Sequence, residues 1–496
     1  MSVTYDDKNR QVIPRCLEYS TACALGLLRV IRKQEQIKKT GLPDSNARQE
    51  WLDRPSIATA VDFVAEALIL KEFKSEEAIE AAKYILNKKR AYSFLIRQLA
   101  SHFLEPKPLK WEEPLEILSI NESREDIARL KKSVRMHPVN PIDWSDLSLY
   151  YATLGQVDKS RMAMKVALNL GNNNRFILRS ASRCFMHLGE PDRAIAILNR
   201  SGICAIDPWI ASAEIAIAER TGLKSRSISK ARDLIKNENL TPLSRSELAM
   251  SLGTLEMKSG SVKLAKKLMN QALIDPTENA LAQAEWMVNQ LKIDVDEMVK
   301  LRSVVPASYE ATAVYFFYKK QFEQSLKAAE MWGRFQFLST RPIIISMFLS
   351  STYLDNDLKT VNIFENALPA QKENPLVINN YAFALARIGL TKDAAIALSK
   401  IDLNKVSDDE KLTLIATSGL ISFREEDFEL GRELYSKAVK GFELINNLRS
   451  AAVATYYWAV EEKRIKSQNA ETKIREAKGR IERHNVFELE DLVKKL

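Results

Sequence analysis

The 496-residue chain is 46% hydrophobic and 28% charged, and its 15 glycines and 16 prolines are too few for a turn-dense all-β protein, so helix is expected throughout. Its formal charge of +9 divides into excesses of +4, +3 and +2 over residues 1–140, 141–300 and 301–496. A nucleic-acid footprint is a patch or stripe, and so even a spread gives that function little support.

The first apolar stretch, from Thr21 to Ile31, is broken by Arg29 and preceded by mixed charges between Asp6 and Glu18, unlike a secretory leader. No run reaches the roughly 18 apolar residues of a spanning helix. Four cysteines without a CxxC pair form no disulfide framework, so a soluble, cytoplasmic protein is expected. A helix is predicted over 14–39, stopped by Gly41 and Pro43. Helices over 57–70 and 75–87 follow, the second with Ser75 as N-cap and Glu76 and Glu77 at the positive end of its dipole. A helix over 91–104 precedes Pro106, Pro108 and Pro114. Proline removes a donor and pushes its predecessor out of the helical region, so residues 1–114 are set apart as an N-terminal helical region.

A helix over 122–136 leads into a pattern that occurs twice. Trp144, Leu147, Ser148, Tyr151 and Gly155 return thirty-four residues on as Leu178, Ala181, Ser182, Phe185 and Gly189, with Ala194 and Leu198 after them. A third unit pairs 208–221 with 225–236 across Gly222. A fourth carries Ala249, Leu252, Gly253, Gly260, Ala265, Met269 and Ala272. Between 277 and 338 the pattern loosens into two degenerate hairpins, and 342–368 turns at Asp355 and Asn356. The signature returns with Ile378, Tyr381, Ala382, Leu385, Gly389, Ala394 and Leu398, followed by a hairpin of 408–423 and 427–439. Of the closing helices, 448–465 and 468–483, the second is charged all round, as the cap of a stack should be; residues 487–496 are expected to pack back on it.

A period of 34 with W-x2-L-(small)-x2-Y and a glycine at the turn resembles the tetratricopeptide repeat (TPR), a hairpin of helices that buries its apolar face by stacking on neighbours. The resemblance implies an all-α fold, a right-handed α-solenoid of about ten stacked hairpins, with residues 115–443 as the array and 444–496 as a C-terminal helical cap. It also implies an adaptor or scaffold that binds a protein or peptide segment in the concave groove lined by first helices. Packing occupies the fourth, seventh, eighth and eleventh positions of each first helix, which leaves the second, fifth, sixth and ninth for a partner. These are Asp143, Ser145, Asp146 and Leu149; Phe176, Arg179, Ser180 and Arg183; and Leu376, Asn379, Asn380 and Phe383. Arg179 and Arg183, one turn apart, suit carboxylates of the partner.

The alternative is a nucleic-acid-binding repeat protein. Lys159, Arg161, Lys165, Arg193, Lys230, Lys263, Lys266 and Lys267 recur near the starts of second helices, which the resemblance implies are on the convex side, and Lys88, Lys89, Arg90, Tyr92, Phe94 and Arg97 interleave cations with aromatics. A solvated convex face and a core-facing aromatic stripe give the same letters. The aromatic cluster of Tyr309, Tyr315, Phe316, Phe317, Tyr318, Trp332, Phe335 and Phe337 reads either as partner anchors or as filler of an irregular junction.

No P-loop, HExxH, GxSxG or GxGxxG occurs, and no acid, base and nucleophile set can be assembled, so neither catalysis nor a cofactor is expected. Cys184 and His187 are half a metal site at most, and Cys16 and Cys23, seven apart, would share a helical face as buried small hydrophobes. Asp408 and Asp409 read as helix-start residues. Asn380 and Lys411 match part of a clamp for peptide C-termini, but Ser346, Ser350 and Ile415 stand where its other residues would be, so that mode is set aside. Gly189 and Ala194 are expected where paired helices touch.

Overall fold

The computed structural model describes residues 10–32, 47–70, 72–87, 94–105, 119–200, 202–291 and 295–496, and these contain helices and no strand. The N-terminal region holds α1 (Tyr19–Arg32), α2 (Ala47–Asp53), α3 (Ile57–Leu70), α4 (Glu76–Asn87) and α5 (Phe94–Leu104). After α6 (Ile120–Met136) come six hairpins: α7 and α8 (Pro141–Thr153, Val157–Leu170), α9 and α10 (Arg175–His187, Pro191–Arg200), α11 and α12 (Pro208–Thr221, Ile228–Leu234), α13 and α14 (Pro242–Lys258, Val262–Ala272), α15 and α16 (Glu278–Leu291, Val295–Val304), and α17 and α18 (Tyr309–Tyr318, Phe322–Phe335). Four more follow: α19 and α20 (Arg341–Thr352, Asp357–Glu365); then, past the single turn α21 (Pro369–Lys372), α22 and α23 (Pro375–Arg387, Thr391–Ser399); α24 and α25 (Asp408–Arg424, Phe428–Leu444); and α26 and α27 (Leu448–Arg464, Ala470–Arg483). A last turn, α28 (Glu490–Lys494), ends the chain. The architecture is a TPR-like solenoid of ten helical hairpins among the described residues.

Local chemistry sets the period. Asn140, Asn174, Asp207, Thr241 and Asn374 cap first helices by accepting from the backbone N–H two or three residues on, and four of them precede a proline whose missing donor costs nothing in the first turn. In every hairpin turn among the described residues, the first helix passes into its partner through one left-handed residue. Gly155, Gly189, Gly260 and Gly389 hold φ between +70° and +88° there, while Lys320, Asp355, Glu426 and Lys466 take the same position with φ of +49° to +67°. The expectation for Gly189 is corrected: nothing stands within 4 Å of where its Cβ would be, so the glycine answers to φ and not to helix approach. Ala194, fully buried, does sit in the helix contact. Where helices do need a glycine is Gly431, whose added Cβ would lie 2.5 Å from Cδ2 of Phe423.

The array winds tightly enough to meet itself. Tyr150 of α7 stacks on Phe337 after α18 at 5.8 Å, and the Gly155 turn abuts Glu373 beyond α21. Hairpins α7 to α18 therefore close one turn of the superhelix. The second half closes as well: Thr352 and Tyr457 share a hydroxyl hydrogen bond of 3.0 Å, and Phe487 packs on Phe317 and Tyr318 of α17. Residues 487–496 contact the last hairpin as expected, and reach α17 besides. Half of the aromatic cluster is buried, namely Tyr309, Phe317, Trp332 and Phe335, and Phe317 and Tyr318 fill this junction against Phe487.

The predicted helix over 14–39 is the main correction to the elements. Residues 10–18 are not helical, and α1 begins at Tyr19. Cys16 is therefore buried ahead of the helix while Cys23 is exposed on it, and the two share no helical face. Pro106, Pro108 and Pro114 lie outside the described residues.

Candidate binding groove

The first helices α7, α9, α11, α13, α15 and α17 turn their inner faces toward one lumen, and residues 10–18 run through it. Val12 is packed with Ala211, Ile215, Leu248 and Ala280, and Ile13 lies against the cluster holding Phe176 and Ile210. Cys16 meets Leu149, Ala152 and Leu338. Main-chain groups of the segment are also read: the Gln283 amide donates to the Arg10 carbonyl at 2.8 Å and the Asn279 amide to the Ile13 carbonyl at 2.9 Å.

Glu310 is the hub. Its carboxylate, on an otherwise apolar α17, accepts two hydrogen bonds from Arg10 (3.2 and 3.0 Å), one from Arg15 (2.8 Å), one from Arg341 (2.9 Å) and one from the Trp286 indole (3.2 Å). Burial alone would raise its pKa, but the charges of Arg10, Arg341 and Arg15 outweigh that and hold it well below 4.5. Arg10 is itself enclosed, 1% exposed at its side chain. Asn279 (2.9 Å) and Gln283 (3.2 Å) complete its fork, and burial brings its pKa down to about 10, which leaves it charged at neutral pH. Arg15 reaches Gln336 at 2.5 Å.

At the other end of the segment the buried Asp146 carboxylate accepts the N–H of Tyr19 at 3.2 Å, satisfying one of the free donors at the start of α1. Burial and the nearby Glu18 charge raise its pKa well above 3.8. Glu18 pairs with Arg129 of α6, and Arg29 ties the far end of α1 to Asp275 and the Pro276 carbonyl before α15. So α1 is held to the array at both ends.

Of the residues expected in the groove, Phe176 meets Tyr19 edge to face at 5.0 Å, and Arg183 lies beside Cys16. Burial and then the neighbouring charges of Arg15 and Arg341 lower the Arg183 pKa. Arg179 is engaged elsewhere, bonded to Glu247 at 2.8 Å and to the Trp209 carbonyl at 2.9 Å. Asn379, Asn380 and Phe383 require correction. They are 0%, 1% and 2% exposed, because the second half winds until facing first helices touch: Phe383 packs edge to face on Tyr457 at 5.0 Å, and Asn380 donates to the Ile344 carbonyl of the preceding unit at 3.5 Å. They cannot meet a partner in this conformation.

The residues that grip the segment most firmly, Glu310, Asn279, Gln283 and Gln336, belong to the degenerate hairpins or the turn after them, where the repeat register fades. Their signal is there to read: Asn279 and Gln283 stand four apart on a largely apolar helix, and Glu310 is the one acid in Tyr309–Tyr318.

On the outer face Lys159, Lys230, Lys266 and Lys267 are exposed on α8, α12 and α14. Arg161 and Arg193 are both engaged by Glu190, at 2.7 and 3.1 Å, which interrupts the stripe. Lys88, Lys89, Arg90 and Tyr92 lie outside the described residues. Cys184 is buried against the hydroxyls of Ser148 and Ser160, and burial takes His187 down to about 4, neutral at physiological pH. Among the described residues no three potential ligands gather as a metal site, and no helix is long and apolar enough to cross a membrane.

No protein-family model and no curated protein matches the chain. Among solved structures it is similar to yeast Tom70, with a TM-score of 0.33 and 13% identity over 88% of this chain and 98% of that one. It is also similar to the APC/C hetero-tetramer Cut9–Hcn1, at 0.30 and 11% over 90% and 98%, and to Naa15/Naa10 bound to HypK-THB, at 0.21 and 15% over 86% and 68%. Scores this low carry no argument about function.

Proposed function

We propose that this TPR-like solenoid is a non-catalytic interaction scaffold, cytoplasmic in setting, that takes an extended segment of a partner protein along the inner face of α7 to α17. The observation that carries the reading is that this face already holds nine residues of non-helical chain, through acceptors for arginine and donors to main-chain carbonyls. The nucleic-acid reading is weaker because two of the stripe's arginines are already bound to Glu190.

The test is to purify the native complex, treat it with nuclease, crosslink it and map the contacts. A nuclease-resistant partner joined to the inner faces of α7 to α17 is the expected result. Contacts confined to Lys159, Lys230, Lys266 and Lys267, lost on nuclease treatment, would favour the alternative.

A further inference from the structure

The lumen is more selective than a general peptide groove. With residues 10–18 removed in thought, its polar wall is Glu310, Glu278, Asp146, Asn279, Gln283 and Gln336, three carboxylates and three amides, with two cations, Arg341 on Glu310 and Arg183 beside the place of Cys16. This wall asks for cations at fixed places. Arg10 and Arg15 supply them, converging on a single carboxylate from five residues apart, while Val12 and Ile13 between them enter apolar clusters. A guanidinium fits such a site better than an ammonium, because its planar fork meets Glu310, Asn279 and Gln283 at once.

We propose that the lumen is a docking channel for an extended partner segment bearing two arginines five residues apart with aliphatic residues between, and that residues 10–18 are its built-in occupant, which the partner displaces. The proposal rests on the groove reading above and adds the partner's chemistry and its competitor. Tethering places the internal segment at an effective concentration on the order of millimolar, so a partner binds the intact chain far more weakly than a chain whose segment has been removed.

A labelled synthetic peptide of residues 8–20, with Cys16→Ser to prevent crosslinking, serves as the probe. Binding by fluorescence anisotropy is compared for the full chain and for a chain lacking residues 1–18. Circular dichroism and sedimentation establish that the truncated chain is helical and monomeric. The expected result is binding to the truncated chain, at least ~100-fold weaker for a peptide also carrying Arg10→Ala and Arg15→Ala, since truncating one partner of a buried charge pair costs about that much or more. The full chain should bind at least ~10-fold more weakly than the truncated one, as the tethered competitor requires.

A folded truncated chain that ignores the peptide, or binds both peptides alike, overturns the proposal. Should truncation unfold the chain, the intact chain decides: excess peptide must accelerate alkylation of its buried Cys16, and an unchanged rate overturns the proposal. Dimers formed by exchange of residues 10–18 between two copies, in preference to peptide capture, also overturn it. A partner mapped to the lumen whose contacting segment lacks arginine sinks this inference alone. A partner mapped to the convex face sinks the proposed function and, with it, displacement by that partner, even where the peptide still binds in the lumen.

Discussion

Replacing Glu310 with glutamine should release residues 10–18 without unfolding the solenoid. In the wild-type chain Arg10 donates two hydrogen bonds to this carboxylate from a position 1% exposed, and Glu310 is 2% exposed. Glutamine keeps an acceptor for the Trp286 indole but removes the charge. Arg10 is then left with the neutral oxygens of Asn279, Gln283 and Gln11. Removing one partner of a buried pair costs about 3–5 kcal/mol, chiefly through the charge left behind. Arg341, 42% exposed at its side chain, can turn to water, so the cost falls on the segment. At about 1.4 kcal/mol per decade, the released population rises by roughly 100-fold to 4000-fold. Cys16 reports it, being buried only while the segment is docked, and Cys23→Ser removes the exposed thiol. The expected outcome is Cys16 alkylation faster by two orders of magnitude or more, with Cys184 and Cys204 unchanged and Arg10→Gln in the same chain returning part of the loss. Acceleration under tenfold, or equal acceleration at Cys184 and Cys204, would refute the reasoning: the first means the pair does not hold the segment, the second that the segment and the array unfold together.

Other outcomes follow from the same structure. Asp146 has a folded pKa raised above 3.8, so its contribution to stability is full below that value and lost as pH rises through the folded pKa. Asp146→Asn should therefore raise the urea midpoint at pH 7 and change nothing at pH 3. The left-handed turns predict opposite signs at equivalent positions: Gly189→Ala should cost roughly 1 kcal/mol, while Glu426→Gly, relieving a φ of +67°, should gain a few tenths up to about 1, both by denaturant titration. Gly431→Ala pushes a methyl against the Phe423 ring and should cost about 1–3 kcal/mol, with circular dichroism still helical.

The hairpins were legible in the sequence because each repeat states its own boundaries. A cap of the Asn140 kind opens the first helix, a small or left-handed residue turns it, and an apolar face recurs at helical spacing; all of this is local to about 34 residues. What depends on hairpin meeting distant hairpin was not. Nothing within 375–400 tells that Phe383 will lie against Tyr457, so its position on the first helix reads as free. The helix expected over 14–39 takes in residues 14–18, because Leu17 stands at helical spacing from Ala24 and Leu27. The non-helical path of residues 10–18 is fixed by Glu310, Gln283 and Asn279, about 270 to 300 residues away. The groove positions read from α7 and α9 did include Asp146, Leu149, Phe176 and Arg183, which meet the segment or the start of α1. The same reading stopped at α15 and α17, where the signature that sets the register is lost.

The most direct measurement places a photo-crosslinking amino acid at Ile13 in the full chain, irradiates dilute protein and identifies the joined peptides by mass spectrometry. Ile13 lies in the apolar cluster that includes Phe176 of α9 and Ile210 of α11, and its carbonyl accepts from Asn279 of α15. The account predicts crosslinks within one chain to α9, α11 and α15. Crosslinks to the outer helices α8, α10, α12 or α14, or an absence of any intrachain product, would contradict it.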